Sequence, residues 1–412
     1  MLNCSFTDCY HTECSYNSNQ GEKNMLNQKT SQKKQVPKQS FVLRTESILL
    51  PKGETKHLTS KCNISRIVYN SANHHFRPIY QETGKGPNRS SVWNWLKNHH
   101  DFPLWKDAIG TKTCQQIVNL LVHNYSSYFK ALKAWKVDSS KFLSKPKSPG
   151  FINKTICAKR LFILPIAAQS LRVNHELGIL KLPKRFDLTV RFNQSKGKEV
   201  RNGRIIPIAD NRFVFQISYR DKAVPISVKN SRIASIDLGV NNLVTLSTNF
   251  GSQPFKINGG PVKSINQYFN KEKARLDRIY AITNAKGSSK RDKLIEKRNR
   301  KLSDFFHKSS RSIINYCISQ KIDTIVIGLN DFWKQNVKMR KKDKQNFVYL
   351  PFRKLIDQIM YKAADSGIQV IVNEENYTSK CSFLDNEFPQ KYSSYLGKRV
   401  KRGKFRANDG TY

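Results

Sequence analysis

The stretch SRIASIDLGVNNLVTLSTN, residues 231–249, constrains the fold more than any other. Ile233 to Asp237 is a short apolar run that ends on a carboxylate, and Leu243 to Leu246 is a second apolar run. Gly239, Asn241 and Asn242 between them predict a tight turn, because these residues tolerate positive φ. The reading is a strand over 233–237, a Gly-Val-Asn-Asn turn and a strand over 243–247. Taken alone, Asp237 suits two roles: a turn-capping acid, or an oxygen ligand for a hard cation such as Mg2+.

The segments that follow give this hairpin a setting. DTIVIGLN (323–330) and QVIVNEENYTS (369–379) read as strands, and PFRKLIDQIMYKAADSGI (351–368) between them reads as a helix. Two apolar strands joined through such a helix predict a right-handed crossover and a parallel pair. Basic helical stretches cover 263–281 and 290–319. Residues 231–380 therefore read as an α/β domain of ribonuclease H type.

Upstream, LFILPI, LRVN, GILKLP, LTVRF, RIIPIA and FVFQISYR are short runs separated by turns. They predict a compact β-barrel or sandwich over 157–230. Residues 90–142 carry a helical pattern, with Ile117, Leu120, Leu121, Tyr125, Tyr128, Phe129 and Leu132 at spacings of one, three and four. Lys130, Lys133 and Lys136 lie near its C-terminal end, where aromatics and lysines together suit bases and phosphates. A helix burying its aromatics in an ordinary core accounts for most of the same rings. Residues 1–40 read as a disordered basic lead-in, and 381–412 as a basic tail.

Charge narrows the function. Lys plus Arg number 73 against 30 Asp plus Glu, a formal net charge of +43. Like charges repel, so an excess of this size calls for a polyanion, and nucleic acid is the expected partner. No stretch of about 18 apolar residues exists, which argues against a membrane span. The N-terminus lacks a basic and an apolar signal region, so a cytoplasmic, nucleoid-associated protein with reduced thiols is expected. Cys4, Cys9, His11 and Cys14 match no common zinc-finger spacing.

The segment IDLGVNNLVTLSTN resembles the first RuvC-like motif of the TnpB/OrfB family of insertion-sequence elements, relatives of the type V CRISPR effectors. The resemblance continues in order through KINGGPVKSINQYFNKEKARL, IVIGLNDFWKQN, QNFVYLPFRKLIDQIMYKA, ENYTSKCSFLDNE and LGKRVKRGKFRANDG, and back to FKALKAWKVDSSKFLSKPKSPGF, spanning about 110–412. It implies a transposon-encoded, Mg2+-dependent, RNA-guided DNA endonuclease whose partners are a guide RNA from its own element and target DNA. It also implies an α+β multidomain chain. An N-terminal β-barrel over 41–230, mainly 157–230, would hold a helical recognition part at about 90–142, followed by a RuvC-like domain over 231–380. Lys338, Arg340, Lys341, Lys398, Arg399, Lys401 and Arg402 join the three lysines above as expected nucleic-acid contacts.

The sequence departs from the family pattern in three places. The second acid belongs at the end of the strand IVI, where this chain has Gly328. Glu375, at the end of the next strand, is the expected replacement, ahead of Asp331 and with Glu374 beside it as the alternative. Asp237 and Glu375 are thus the expected catalytic residues and Mg2+ ligands. In the zinc-ribbon region only Cys381 remains, and Lys398 to Arg406 replace the later pair, so no structural zinc is expected over 381–412. The family's last acid follows shortly after the ribbon, whereas this sequence stops at NDGTY and Asp409 comes too early. The expectation is a C-terminally truncated copy with an incomplete RuvC-like fold, catalytically incomplete. The alternatives are a nuclease-inactive, repressor-like DNA-binding protein and an active endonuclease with a rearranged acidic site.

Overall fold

The computed structural model describes residues 41–51, 57–152, 162–208, 212–226, 228, 231–285, 288–330, 347–375, 377–401 and 404–412. The basic lead-in and its Cys/His cluster lie outside them. The chain divides into two compact units, Met1–Ala223 and Val224–Tyr412.

The first unit opens with strand β1 (Phe41–Leu49) and four helices, α1 (Leu58–Thr83), α2 (Arg89–Lys97), α3 (Phe102–Ile109) and α4 (Thr111–Val137). Six strands follow: β2 (Leu164–Ala167), β3 (Arg172–Asn174), β4 (Ile179–Lys181), β5 (Thr189–Arg191), β6 (Val200–Pro207) and β7 (Phe213–Lys222). Each of the six runs read from the sequence contributes one of them. They do not form a closed barrel among the described residues. Instead β1-β7-β6-β2 make one antiparallel sheet and β3-β4-β5 another. Strands of three or four residues offer too few ladder bonds to wrap a sheet round on itself. One core joins Phe213, Phe215 and Ile217 of β7 to Leu164 of β2, Tyr69 of α1, and Ile117 and Leu121 of α4.

Helical structure begins earlier than the sequence pattern suggests. The buried stripe of α1 includes Ser65 and Asn73, which interrupt the apolar periodicity. Both polar groups are satisfied. Ser65 Oγ donates to the Ile163 carbonyl at 2.7 Å, and Asn73 accepts from the Tyr125 hydroxyl at 3.0 Å. Strand β1 is tied down by an acid. The carboxylate of Glu46, 7% exposed, accepts the Asn193 and Ser195 N–H groups and the Ser195 hydroxyl, each at 2.8 Å. Burial pushes this carboxyl up, but those donors outweigh it and the net shift is downward.

The second unit holds β8 (Ile233–Leu238), β9 (Asn242–Thr248), β10 (Phe255–Asn258), α5 (Gly260–Ile282), α6 (Ser289–Ser319), β11 (Thr324–Gly328), α7 (Phe352–Asp365) and β12 (Gln369–Asn373). A hairpin of β13 (Lys398–Lys401) and β14 (Lys404–Arg406) lies near the end. The sheet order is β10-β9-β8-β11-β12. The hairpin side is antiparallel, and β11 runs parallel to both β8 and β12, as the helical crossover requires. β8 alternates strictly. Ala234, Ile236 and Leu238 are buried with Phe306, Ile313, Leu355 and Ile359 of the helices, while Ile233, Ser235 and Asp237 are exposed. A period-2 pattern with one covered face sends every second side chain outward, and Asp237 is one of them.

The turn after β8 uses glycine for a reason other than the one expected. Gly239 and the two asparagines are absent from the positive-φ residues. A Cβ on Gly239 would instead lie 2.6 Å from the Asn242 carbonyl oxygen. Close backbone approach, not a left-handed conformation, excludes a side chain there.

Candidate functional site

Asp237 is placed by β8, where it pairs with Thr245 of β9. On its other side, β11 runs alongside β8 in a register that ends at Ile327 opposite Ile236. The next residue of β11, Gly328, is therefore the neighbour of Asp237. Gly328 in turn pairs with Asn373, the last residue of β12. Glu375 follows two residues later, past the end of the strand on which the sequence reading placed it.

The side chain of Glu375 folds back over Gly328. A Cβ built on Gly328 would fall 1.6 Å from Glu375 Oε1, 2.1 Å from Cδ and 2.4 Å from Cγ. The glutamate thus occupies the space that a side chain at position 328 would need. A residue at the end of β11 and one beyond β12 compete for a single position beside Asp237, and glycine yields it to Glu375.

Asn330 holds the incoming backbone. Its Oδ1 accepts the Glu375 N–H at 2.6 Å, and its Nδ2 donates to the Glu375 carbonyl at 3.2 Å. The Leu329 N–H donates to the Asn373 carbonyl at 2.9 Å, extending the ladder to the same point. Sequence reasoning missed Asn330. The available signal was an amide directly after a strand, where it can mimic a further ladder rung.

Electrostatics couples the pair. Burial, and then the carboxylate of Asp237, raise the Glu375 carboxyl above the ordinary carboxylate value. The two acids are thus close enough to repel. Glu374 is exposed beside them. Asp331 lies outside the described residues.

The basic candidates fall in three groups. Lys130, Lys133 and Lys136 are exposed on the C-terminal half of α4. Lys398, Arg399 and Lys401 are exposed on β13, with Lys398 opposite Arg406. Lys338, Arg340, Lys341 and Arg402 lie outside the described residues.

The segment around β13 is cross-linked by acids. Glu387 accepts the Ser382 N–H at 2.8 Å and the Leu396 N–H at 3.1 Å. Asp385 accepts the Ser382 hydroxyl and, at 3.0 Å, the Asn408 N–H. Cys381 is buried and its thiol donates to the Gln390 carbonyl. Elsewhere, His99, His100 and Asp101 bring one potential ligand atom each within 4.8 Å of one another on a single turn. No helix among the described residues is long and apolar enough to cross a membrane.

Residues 216–331 match the OrfB_IS605 family, a probable transposase. The chain is 23% identical over 369 residues to the TnpB-like protein ORF457 of Acidianus two-tailed virus, spanning 82% of this chain and 78% of that one. It is also 23% identical over 368 residues to the CRISPR-associated endodeoxyribonuclease Cas12f1 of Sulfoacidibacillus thermotolerans, spanning 75% and 84%. Among solved structures it is similar to a Cas12f1–sgRNA–target DNA complex, with a TM-score of 0.48 and 14% identity over 82% of this chain and 77% of that one. A Cas12f ternary complex matches with a TM-score of 0.33 and 15% identity over 87% and 80%. Part of the chain thus matches a transposase family, and over most of its length the chain is similar to a TnpB-like protein and to a Cas12f nuclease.

Proposed function

We propose that this chain is a nucleic-acid-binding protein of the RNA-guided endonuclease lineage, taking a guide RNA from its own element and a DNA target. Its second unit is read as a RuvC-like domain of ribonuclease H type. The sheet order supports this. Counted in chain order within the sheet, β10-β9-β8-β11-β12 runs 3-2-1-4-5, with the first three strands antiparallel to one another in turn and β11 parallel to β8 and β12.

The observation that carries the reading is the exchange at Gly328, which seats Glu375 beside Asp237. The donor set fits Mg2+, a hard cation that prefers carboxylate oxygens. When bound, the ion would polarise a phosphodiester and stabilise charge on its oxygens. Asp237 presents its carboxylate from the exposed face of β8. Glu375 brings a second from a half-buried seat, and Asn330 fixes the backbone behind it. The exposed lysines of α4, and separately those of β13, would pair with phosphates, reading backbone shape rather than sequence.

Purification with the transcript of the native locus, followed by sequencing of the bound RNA, tests the partner. A DNA target matching that RNA, with and without Mg2+, tests the chemistry. Enriched RNA is expected, and Mg2+-dependent cutting lost in Asp237→Ala and Glu375→Ala would favour an active endonuclease with a rearranged acidic site. RNA-guided binding without cutting would favour the nuclease-inactive, repressor-like form. No enrichment of any RNA would overturn the reading.

A further inference from the structure

The helices of the first unit carry a run of rings that core packing does not explain. Trp105 of α3 is buried, at 4% exposed. His99 stacks on it, with ring centroids 4.6 Å apart and planes 28° from parallel. His100 also stacks on His99, at 4.3 Å and 23°, and its own side chain is 83% exposed. Trp95 of α2 meets His99 edge-on at 5.1 Å, and His75 of α1 stacks on Trp95 at 4.7 Å and 15°. His75 is exposed as well. Rings from α1, α2, α3 and the α2–α3 turn form one connected assembly, rooted at Trp105 and open at two imidazoles.

Burial accounts for Trp105 but not for His75 and His100. Metal binding is the competing use of the turn, but one nitrogen of each imidazole is already engaged. His99 Nδ1 accepts the Asp101 N–H at 3.1 Å, and His100 Nε2 pairs with the Asp101 carboxylate at 3.4 Å. The exposed ring faces are open to a flat ligand. Partial desolvation, followed by a neighbouring imidazole in each case, holds His75 and His99 below the ordinary histidine value. Cations stand on the same helices. Arg77 lies over Phe151 at 5.5 Å, and Lys97 over Trp93 at 6.0 Å. Flat faces next to cations in a chain of net charge +43 suit a ligand that is itself flat and joined by phosphates.

We propose that His75 and His100, backed by Trp95, His99 and Trp105, form a stacking platform for unpaired nucleobases of a single-stranded nucleic acid. This rests on the nucleic-acid reading above and adds a binding element outside the acidic site. Every base has a π-face, so the platform tolerates sequence and rejects a paired, stacked duplex.

The test is binding of short single-stranded RNA and DNA, each in a base-bearing and an abasic form, to the full chain and to His100→Ala, His75→Ala and His100→Phe. His100 is exposed, so His100→Ala keeps the parent melting temperature. It should weaken binding of at least one base-bearing strand by about 5- to 100-fold, the range for losing one base–aromatic stack. His75→Ala should weaken it similarly, and His100→Phe should retain parent affinity. The abasic strands should bind all four proteins alike, and the strand that responds identifies RNA or DNA as the source. Equal affinity of parent, His100→Ala and His75→Ala for both base-bearing strands would overturn the platform alone. Failure of the parent to bind any nucleic acid would overturn the platform and the proposed function together.

Discussion

Adding one methyl group at Gly328 is the sharpest test of the acidic site. In Gly328→Ala the new Cβ would sit 1.6 Å from Glu375 Oε1 and 2.4 Å from its Cγ. Ordinary contact begins near 3.5 Å, so the glutamate must retreat by about 2 Å. The atoms in the way belong to a side chain with rotatable bonds, not to backbone, so the strand itself need not move. Alanine is worth roughly 0.5–1 kcal/mol over glycine in a strand interior. Eviction of Glu375 also relieves its repulsion with Asp237. The expected result is an unchanged or slightly raised melting temperature, by about 2–4 °C per kcal/mol for a unit of this size. Mg2+ affinity should meanwhile fall by about 10- to 100-fold or more, as for disturbed metal ligation. Thermal unfolding with and without Mg2+, together with calorimetric titration, reads both quantities. Glu375→Gln should give the same loss, and the double variant no further loss, because both changes remove one interaction. The reasoning fails if Gly328→Ala binds Mg2+ like the parent. It also fails if the variant unfolds markedly earlier, because the methyl would then be clashing with something that cannot move.

Three further outcomes are expected. Glu46→Gln should cost about 1–3 kcal/mol at neutral pH, since it weakens charge-assisted bonds to two backbone N–H groups and a hydroxyl. The folded value of Glu46 lies below the ordinary 4.5, so its contribution is full above that pH and is lost as pH falls through the folded value. Parent and variant melting curves should therefore converge in acid, and a gap that persists there would speak against the carboxylate. Residues 377–412 should keep their fold in the presence of a chelator and contain well under one zinc per chain by elemental analysis, because Asp385 and Glu387 already bridge the backbone of the segment. A stoichiometric zinc released only on unfolding would contradict this. Nucleic-acid affinity should drop steeply between 50 and 200 mM salt, by orders of magnitude if about six or more phosphates are contacted. A flat salt response would mean that the excess of lysine and arginine is not spent on phosphate.

The sequence made some of this legible because certain patterns have one cheap physical solution. A carboxylate at the end of an apolar run beside a tight turn can hardly be anything but a strand end, and β8 and β9 formed as read. The helical connection between two apolar runs left only a parallel pair, and β11 and β12 are one. Where polar residues were buried, the pattern was lost. Ser65 and Asn73 sit inside the stripe of α1, and only their partners, Ile163 and Tyr125, reveal why they are tolerated. Those partners are far along the chain, so no local window contains the explanation. The barrel read from 157–230 needed a closure that strand lengths of three and four do not provide among the described residues.

The acidic site shows the same division. Glycine in place of an acid at 328 could be read as a loss, and an acid at 375 as a loop residue. Each reading is reasonable for one position taken alone. The geometry couples them, since the absent side chain at 328 is the room that Glu375 fills. A carboxylate on a residue beyond β12 needs something other than a strand ladder to hold it. A strand residue is fixed by its ladder, whereas Glu375 lies past the last ladder pair and needs the two hydrogen bonds of Asn330. Gly328, Asn330 and Glu375 thus form one unit in which glycine gives space, the amide gives position and the glutamate gives charge. A substitution at any one of the three should disturb the others more than it disturbs the sheet, because none of them belongs to the apolar core that holds β8, β11 and the helices together.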